Sequence, residues 1–246
     1  MKIDRPQLKA RARGAIANRE NHAIVASIAV FLLLYAMNWL FSSLSGYSGW
    51  FAAYSDKVIG LYRETGTVPA VPYTEVPWPQ IGTGAMALCA VILILRIVLS
   101  AGYESWCLQA ARGSKPQVRA IFDGFTWFAR VLLLYLVRGI LIGVGLMIFI
   151  VPGVWLFCRY RLALFAFFDD PSLGVFGALR RSAQITKGHI GEVFLLSLSF
   201  IGWYLAAEIV ATFFLPLLDI WVRPYTGLTF AYYYDEALAR EGGSIM

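Results

Sequence analysis

The chain has 246 residues, 59% of them hydrophobic and 15% charged, with a mean hydropathy of +0.65. A soluble domain carries about 45–50% apolar and ~25% charged residues, so this chain holds more apolar surface than one soluble core can bury. That excludes a disordered chain, a small disulfide scaffold and an ordinary cytosolic enzyme, and leaves an integral membrane protein. The net charge is +6, and at this hydropathy its counterpart is anionic lipid rather than nucleic acid. Cys89, Cys107 and Cys158 are far apart, lie in or beside apolar runs and form no CxxC. They read as reduced, small apolar residues.

A span needs about 20 apolar residues to cross the hydrocarbon. In chain order, a basic amphipathic helix over 6–19 opens at Pro6 and puts Leu8, Ala12 and Ile16 on one face. The first span, His22–Phe41, follows. Its apolar core of about 19 residues is longer than that of a signal peptide, so it is expected to be retained. A long loop, 43–80, is rich in aromatic residues and then in Pro69, Pro72, Pro77 and Pro79, and is expected to be partly ordered. The second span is Ile81–Gly102.

A second amphipathic helix, 115–125, opens at Lys115-Pro116-Gln117 and repeats Val118, Ile121, Phe122 and Phe125 at helical spacing. The third span, Trp127–Ile150, meets a reversal at Val151-Pro152-Gly153, and the chain returns as Val154–Phe168. A third amphipathic helix, 171–185, sets Phe176, Leu179 and Ala183 against Arg180, Arg181 and Gln184. The fifth span is Ile190–Leu215, ended by Pro216, and the sixth is Leu217–Tyr234, interrupted by Arg223 and Pro224. The pattern predicts an all-α polytopic membrane protein, a single domain of six transmembrane helices. Its three amphipathic helices are expected in the interface with their apolar faces in the acyl boundary. The shared order of amphipathic helix and hairpin suggests a threefold parallel repeat over 1–110, 111–168 and 169–235.

Lys and Arg bias sets the direction. Residues 1–21 carry six, 103–127 three and 169–189 three, whereas loop 43–80 carries only Lys57 and Arg63. Both termini are therefore expected on the cytoplasmic face of the cell membrane, with loop 43–80 outside. Trp39, Trp50, Trp78, Trp127, Trp221 and Tyr232–Tyr234 cluster near the predicted interfaces.

These features resemble a known family. The matching stretches begin with Leu8-Lys9 through Ala12-Arg13, Ala111-Arg112-Gly113, Phe122-Asp123-Gly124-Phe125 and Val151-Pro152-Gly153. They continue with Arg159-Tyr160, Asp169-Asp170-Pro171, Ser182 through Lys187-Gly188, Phe200-Ile201-Gly202-Trp203, Pro224-Tyr225 and Ala231 through Tyr234. Together they look like the bacterial membrane proteins catalogued as domain of unknown function 975. They are more distantly similar to the membrane domains of some glycerophosphodiester phosphodiesterases, whose catalytic barrel has no counterpart in this chain. Loop 43–80 is the chief departure. The resemblance implies six spans and a bacterial, mostly Gram-positive, setting, and it implies no activity.

Catalysis would need a nucleophile, a base and an orienting group within reach. The chain has only His22 and His189, both at span entrances, and no HExxH, GxSxG or phosphate loop. Asp169-Asp170 before Pro171-Ser172 reads as a helix cap. No catalytic residue, metal site or cofactor is expected.

Charges inside the spans say more. An arginine at a helix centre costs about 2.5–3.5 kcal/mol on insertion scales, yet Arg96, Arg138, Arg159 and Arg161 fall within spans, with Glu208, Asp219 and Arg223 near the outer end of the fifth and sixth. Arg138, Arg159 and Arg161 are expected to face one polar interior with Glu208 and Asp219 as charge partners. At ~1.5 Å per residue from the reversal, Arg138 lies about 20 Å along one helix and Arg159–Arg161 about 9–12 Å along the other. Arginines outnumber acids, so an anionic lipid or peptide headgroup is the expected ligand, bound or moved without catalysis, with Arg96 and Arg223 as further candidate anion-binding residues. The alternative is an accessory protein that scaffolds a partner such as a transporter, with its arginines merely paired. Gly139, Gly143 and Gly145 predict a small-residue packing face on the third span.

Overall fold

The computed structural model describes residues 3–18, 22–67, 76–213 and 217–243. Every regular element among them is helical. They form α1 (Arg5–Ala17), α2 (Ala23–Leu44), α3 (Tyr47–Thr65), α4 (Thr83–Ala111), α5 (Asp123–Thr126), α6 (Phe128–Ile148), α7 (Ile150–Arg159), α8 (Ala163–Asp169), α9 (Gly174–Ile185), α10 (Ile190–Phe213) and α11 (Asp219–Gly243). Five stretches are long and apolar enough to cross a membrane: Ala23–Leu44, Thr83–Ala111, Phe128–Ile148, Ile150–Asp169 and Ile190–Ala211. The chain is thus compatible with a multi-pass membrane protein. The expected end of the fifth span at Leu215-Pro216 lies outside the described residues, as do Pro69, Pro72 and Tyr73.

The chain divides into two compact units, Leu32–Arg96 and the combination of Met1–Phe31 with Ile97–Met246. In the smaller unit, the described part of loop 43–80 contains α3. Trp50 stacks on Trp78 at 4.5 Å and its indole N–H donates to the Val76 carbonyl at 3.2 Å.

In the larger unit the axis is α11, the helix that hydropathy alone does not mark as a span. Val222, Tyr225, Leu228, Thr229, Phe230, Ala231, Tyr233 and Tyr234 are all buried. Two of its threonine hydroxyls are satisfied within the helix, Thr226 donating to the Val222 carbonyl and Thr229 to that of Tyr225. A helix enclosed by protein can carry such residues, because its neighbours and its own backbone replace water. The apolar stripe of α1 is part of that enclosure: Leu8, Ala12 and Ile16 are fully buried and α1 packs along α11. The stripe expected to face acyl chains is therefore covered by protein.

Two further local expectations change. The reversal falls at Phe149, whose extended backbone (φ −162°) separates α6 from α7, and Pro152-Gly153 sits inside the first turn of α7. Gly153 allows that turn to lie against α6, since a Cβ there would meet the Leu146 backbone nitrogen at 2.9 Å. The second amphipathic segment is no continuous helix from Pro116 but a 3-10 turn, Val118–Phe122, followed by α5. This segment lies against α4: Gly102 of α4 and Gly124 of α5 approach so closely that a Cβ on Gly124 would stand 2.5 Å from the Val98 carbonyl oxygen.

Candidate functional site

A cavity of about 630 Å3 opens in the larger unit among α4, α6, α7, α10 and α11. One face of α10 supplies Phe194, Ser197, Leu198, Ile201 and Tyr204, residues three or four apart and so on one side of the helix. Val154, Phe157 and Cys158 come from α7, and Thr226 and Phe230 from α11. The charged groups are Arg138 on α6, Arg161 in the turn between α7 and α8, and Glu104 on α4.

The position of the reversal explains why the two arginines meet. Counted from Phe149, Arg138 is about 16 Å along α6 and Arg161 about 18 Å along the returning chain at ~1.5 Å per residue. They are level, where a reversal at Pro152 would have staggered them. Arg161 Nη1 pairs with Glu104 Oε1 at 3.3 Å and its guanidinium lies over the Phe230 ring at 4.3 Å. Arg138 stands over the Phe157 ring at 5.9 Å and meets no carboxylate within ion-pair distance among the described residues. Glu104 Oε2 and Ser197 Oγ are buried with no hydrogen-bond partner there. Two guanidiniums against one carboxylate leave an excess of one positive charge in a largely apolar, aromatic chamber.

The other arginines named from the sequence lie elsewhere. Arg159 is not on the cavity wall. Its guanidinium covers the Trp155 ring at 4.8 Å, while its carbonyl accepts the Ser182 hydroxyl at 2.8 Å and that of Thr186 at 3.3 Å. Residues 159 and 161 diverge because α7 ends between them. Arg96 belongs to the smaller unit and donates to Asn38 Oδ1 at 3.2 Å. Arg223 pairs with Asp219 at 3.6 Å, one turn away on α11. Neither Glu208 nor Asp219 lines the cavity; its acid is Glu104. Ending the second span at Gly102 had put Glu104 in a loop. The signal that α4 continues was present, since Val98, Leu99, Tyr103, Trp106, Cys107 and Ala110 keep one buried face through residue 110.

A second polar cluster joins the ends of α4 and α8 to α11. Arg112, just past α4, pairs with Asp169 at the end of α8 and with Asp235 of α11, the latter at 2.8 Å, and Tyr234 donates its hydroxyl to Asp169 Oδ2 at 3.0 Å. Burial works against the Arg112 charge, but hydrogen bonds to Asp235 and Asp169 outweigh it and raise its pKa. Of the Asp169-Asp170 pair, only Asp170 caps, accepting the Ser172 backbone N–H at 3.0 Å. At the start of α10, Glu192 holds His189 Nδ1 at 3.2 Å and Arg240 of α11 at 3.1 Å.

Neither the curated proteins nor the solved structures compared with the chain include a match. Residues 144–241 match the family described as protein of unknown function (DUF975), the family that the sequence pattern resembles, so the resemblance holds over this C-terminal stretch of the chain.

Proposed function

We infer that the chain is a multi-pass protein of the cell membrane, with both termini cytoplasmic, that binds or moves an amphiphilic anion in the cavity between Arg138 and Arg161. One observation carries this reading: Arg138 projects a guanidinium with no carboxylate partner among the described residues into a chamber whose other walls are aromatic and aliphatic. A cation in such surroundings draws an anion, and the apolar walls suit the chain attached to it. Anionic membrane lipid is the candidate best matched in chemistry. The site is read as non-catalytic, because Ser197, Cys158 and Thr226 on the wall have no histidine beside them and Glu104 is engaged by Arg161. The Arg161–Glu104 and Arg223–Asp219 pairs favour the second reading, an accessory protein whose charges are internally matched and which scaffolds a membrane partner.

Binding of phosphatidylglycerol to the purified protein in neutral detergent, followed by native mass spectrometry, separates the two. Arg138→Ala is expected to weaken binding by roughly tenfold, the loss of about 1.4 kcal/mol, whereas Arg159→Ala, off the wall, leaves it unchanged. Equal binding by wild type and Arg138→Ala overturns the cavity reading and favours the scaffold.

A further inference from the structure

A second cavity, of about 400 Å3, lies against α1 and is independent of the one just described. Its walls are Arg5, Lys9, Arg13, Ser199 and Tyr225, with Pro6. The three cations recur every fourth residue, so they form one row on α1, about 6 Å from one to the next. Lys9 is the inner member. Its Nζ lies 3.4 Å from the Ser199 carbonyl oxygen and 4.5 Å from the centre of the Phe200 ring. Ser199 stands near the midpoint of α10, one of the helices long and apolar enough to span a membrane. The row thus runs from the exposed Arg5 and Arg13 to an ammonium at the middle of an apolar helix.

None of the three meets a carboxylate within ion-pair distance among the described residues. The neighbouring basic residue on α1 behaves otherwise: Arg11, on another face, is paired with Glu236 at 2.8 Å. Burial and the charges of Arg5 and Arg13 disfavour the Lys9 ammonium, and an anion placed between them would relieve both. A single carboxylate neutralises one charge of the three. A phosphomonoester carries about −1.5 to −2 at neutral pH and presents three acceptor oxygens, a closer match to a row of three donors.

We propose that Arg5, Lys9 and Arg13 form a binding site for a phosphomonoester, with Ser199 and Tyr225 closing it. The monoester belongs either to a lipid headgroup that reaches the middle of α10 or to a soluble phosphate compound. The two sources share one recognition chemistry and are separated by experiment.

The wild-type protein in neutral detergent is treated with an amine-acylating reagent, and modification of Lys9 is followed by peptide mass spectrometry against exposed Lys187 as internal reference. At a ligand concentration about ten times Kd the free site falls roughly tenfold, and acylation of Lys9 slows in proportion. Phosphatidate, glycerol 3-phosphate and oleate are the probes. Protection of Lys9 by phosphatidate alone assigns the site to a lipid monoester; protection by both phosphate compounds assigns it to a soluble one. Protection by none, or by oleate as strongly as by phosphatidate, overturns the proposal. Arg5→Gln with Arg13→Gln, both exposed positions that spare the buried stripe, abolishes the protection if the row is the site and leaves it if Lys9 acts alone, which also overturns it. Arg138→Ala retains the protection, so failure of the first cavity's reading and failure of this one are distinguishable.

Discussion

Glu104 and Arg161 form a pair whose side chains are only 20% and 15% exposed, whereas Asp219 and Arg223 are 32% and 35% exposed. Removing one partner of an enclosed pair strands the other charge, at a cost of about 3 kcal/mol at the lower end for such pairs. Exposed pairs contribute about 0–1 kcal/mol. Glu104→Ala is therefore expected to lower the thermal midpoint in detergent well below that of Asp219→Ala. Glu104→Gln keeps the shape and doubles the cavity's excess positive charge, so binding of an anionic lipid should strengthen, as read by the same mass spectrometry. Lys9 gives a pH signature of definite sign. Its folded pKa is below the ordinary 10.5, owing to burial and then to Arg5 and Arg13. Below the folded value the ammonium is charged in both states and the full destabilisation is present. Between that value and 10.5 the unfolded chain holds a proton that the folded one has lost, so stability rises with pH across this window. The thermal midpoint of wild type should show this rise and that of Lys9→Met should not.

At the scale of elements, glycine positions separate what sequence spacing shows from what packing decides. Gly139 and Gly143 have the GxxxG spacing, yet a Cβ at either would meet nothing within 4 Å. The close contacts are instead Gly102 with the 121–124 backbone and Gly145 with Gly153. Gly143→Ala should hold or raise stability, by up to about 1 kcal/mol from helix propensity. Gly102→Ala places a methyl 1.8 Å from the Ile121 carbonyl oxygen, where only backbone movement makes room. It should cost several times the ~1 kcal/mol of an average substitution, visible as a lower midpoint and faster proteolysis near α5. Spacing along one helix was legible in the sequence. Which glycine faces a second backbone was not, because that depends on a contact with another segment, some twenty residues away for Gly102 and eight for Gly145. Glu104 was missed for a local reason: the apolar run stops being pure at residue 102, although apolar residues keep their helical spacing through residue 110. The cap at Asp170 needed only local chemistry and was legible.

For the whole molecule, the five long apolar stretches and the helix at residues 5–17 were legible from hydropathy and periodicity alone. The arrangement around α11 was not, because hydropathy scores a helix as if lipid surrounded it, and α11 is surrounded by protein. The proposed function places α11 as a sixth crossing and both ends of the chain on one side of the membrane, and labelling tests this. In a background with Cys89, Cys107 and Cys158 replaced by alanine, an impermeant thiol reagent added to intact cells should label Asp56→Cys in α3 and leave Lys115→Cys unlabelled. Labelling of Lys115→Cys without Asp56→Cys would invert the assignment.

The composition of α11 also bears on how the protein is made. This helix follows all the other described helices in synthesis, and it begins with Asp219 and Arg223, has Pro224 inside and carries threonines and tyrosines along its buried length. Charged and polar residues weigh against transfer of such a segment alone into lipid. The earlier helices must therefore already stand in the bilayer and offer a sheltered slot when α11 leaves the ribosome. A nascent chain that stalls before residue 219 is left with the apolar stripe of α1, Leu8, Ala12 and Ile16, without the helix that covers it.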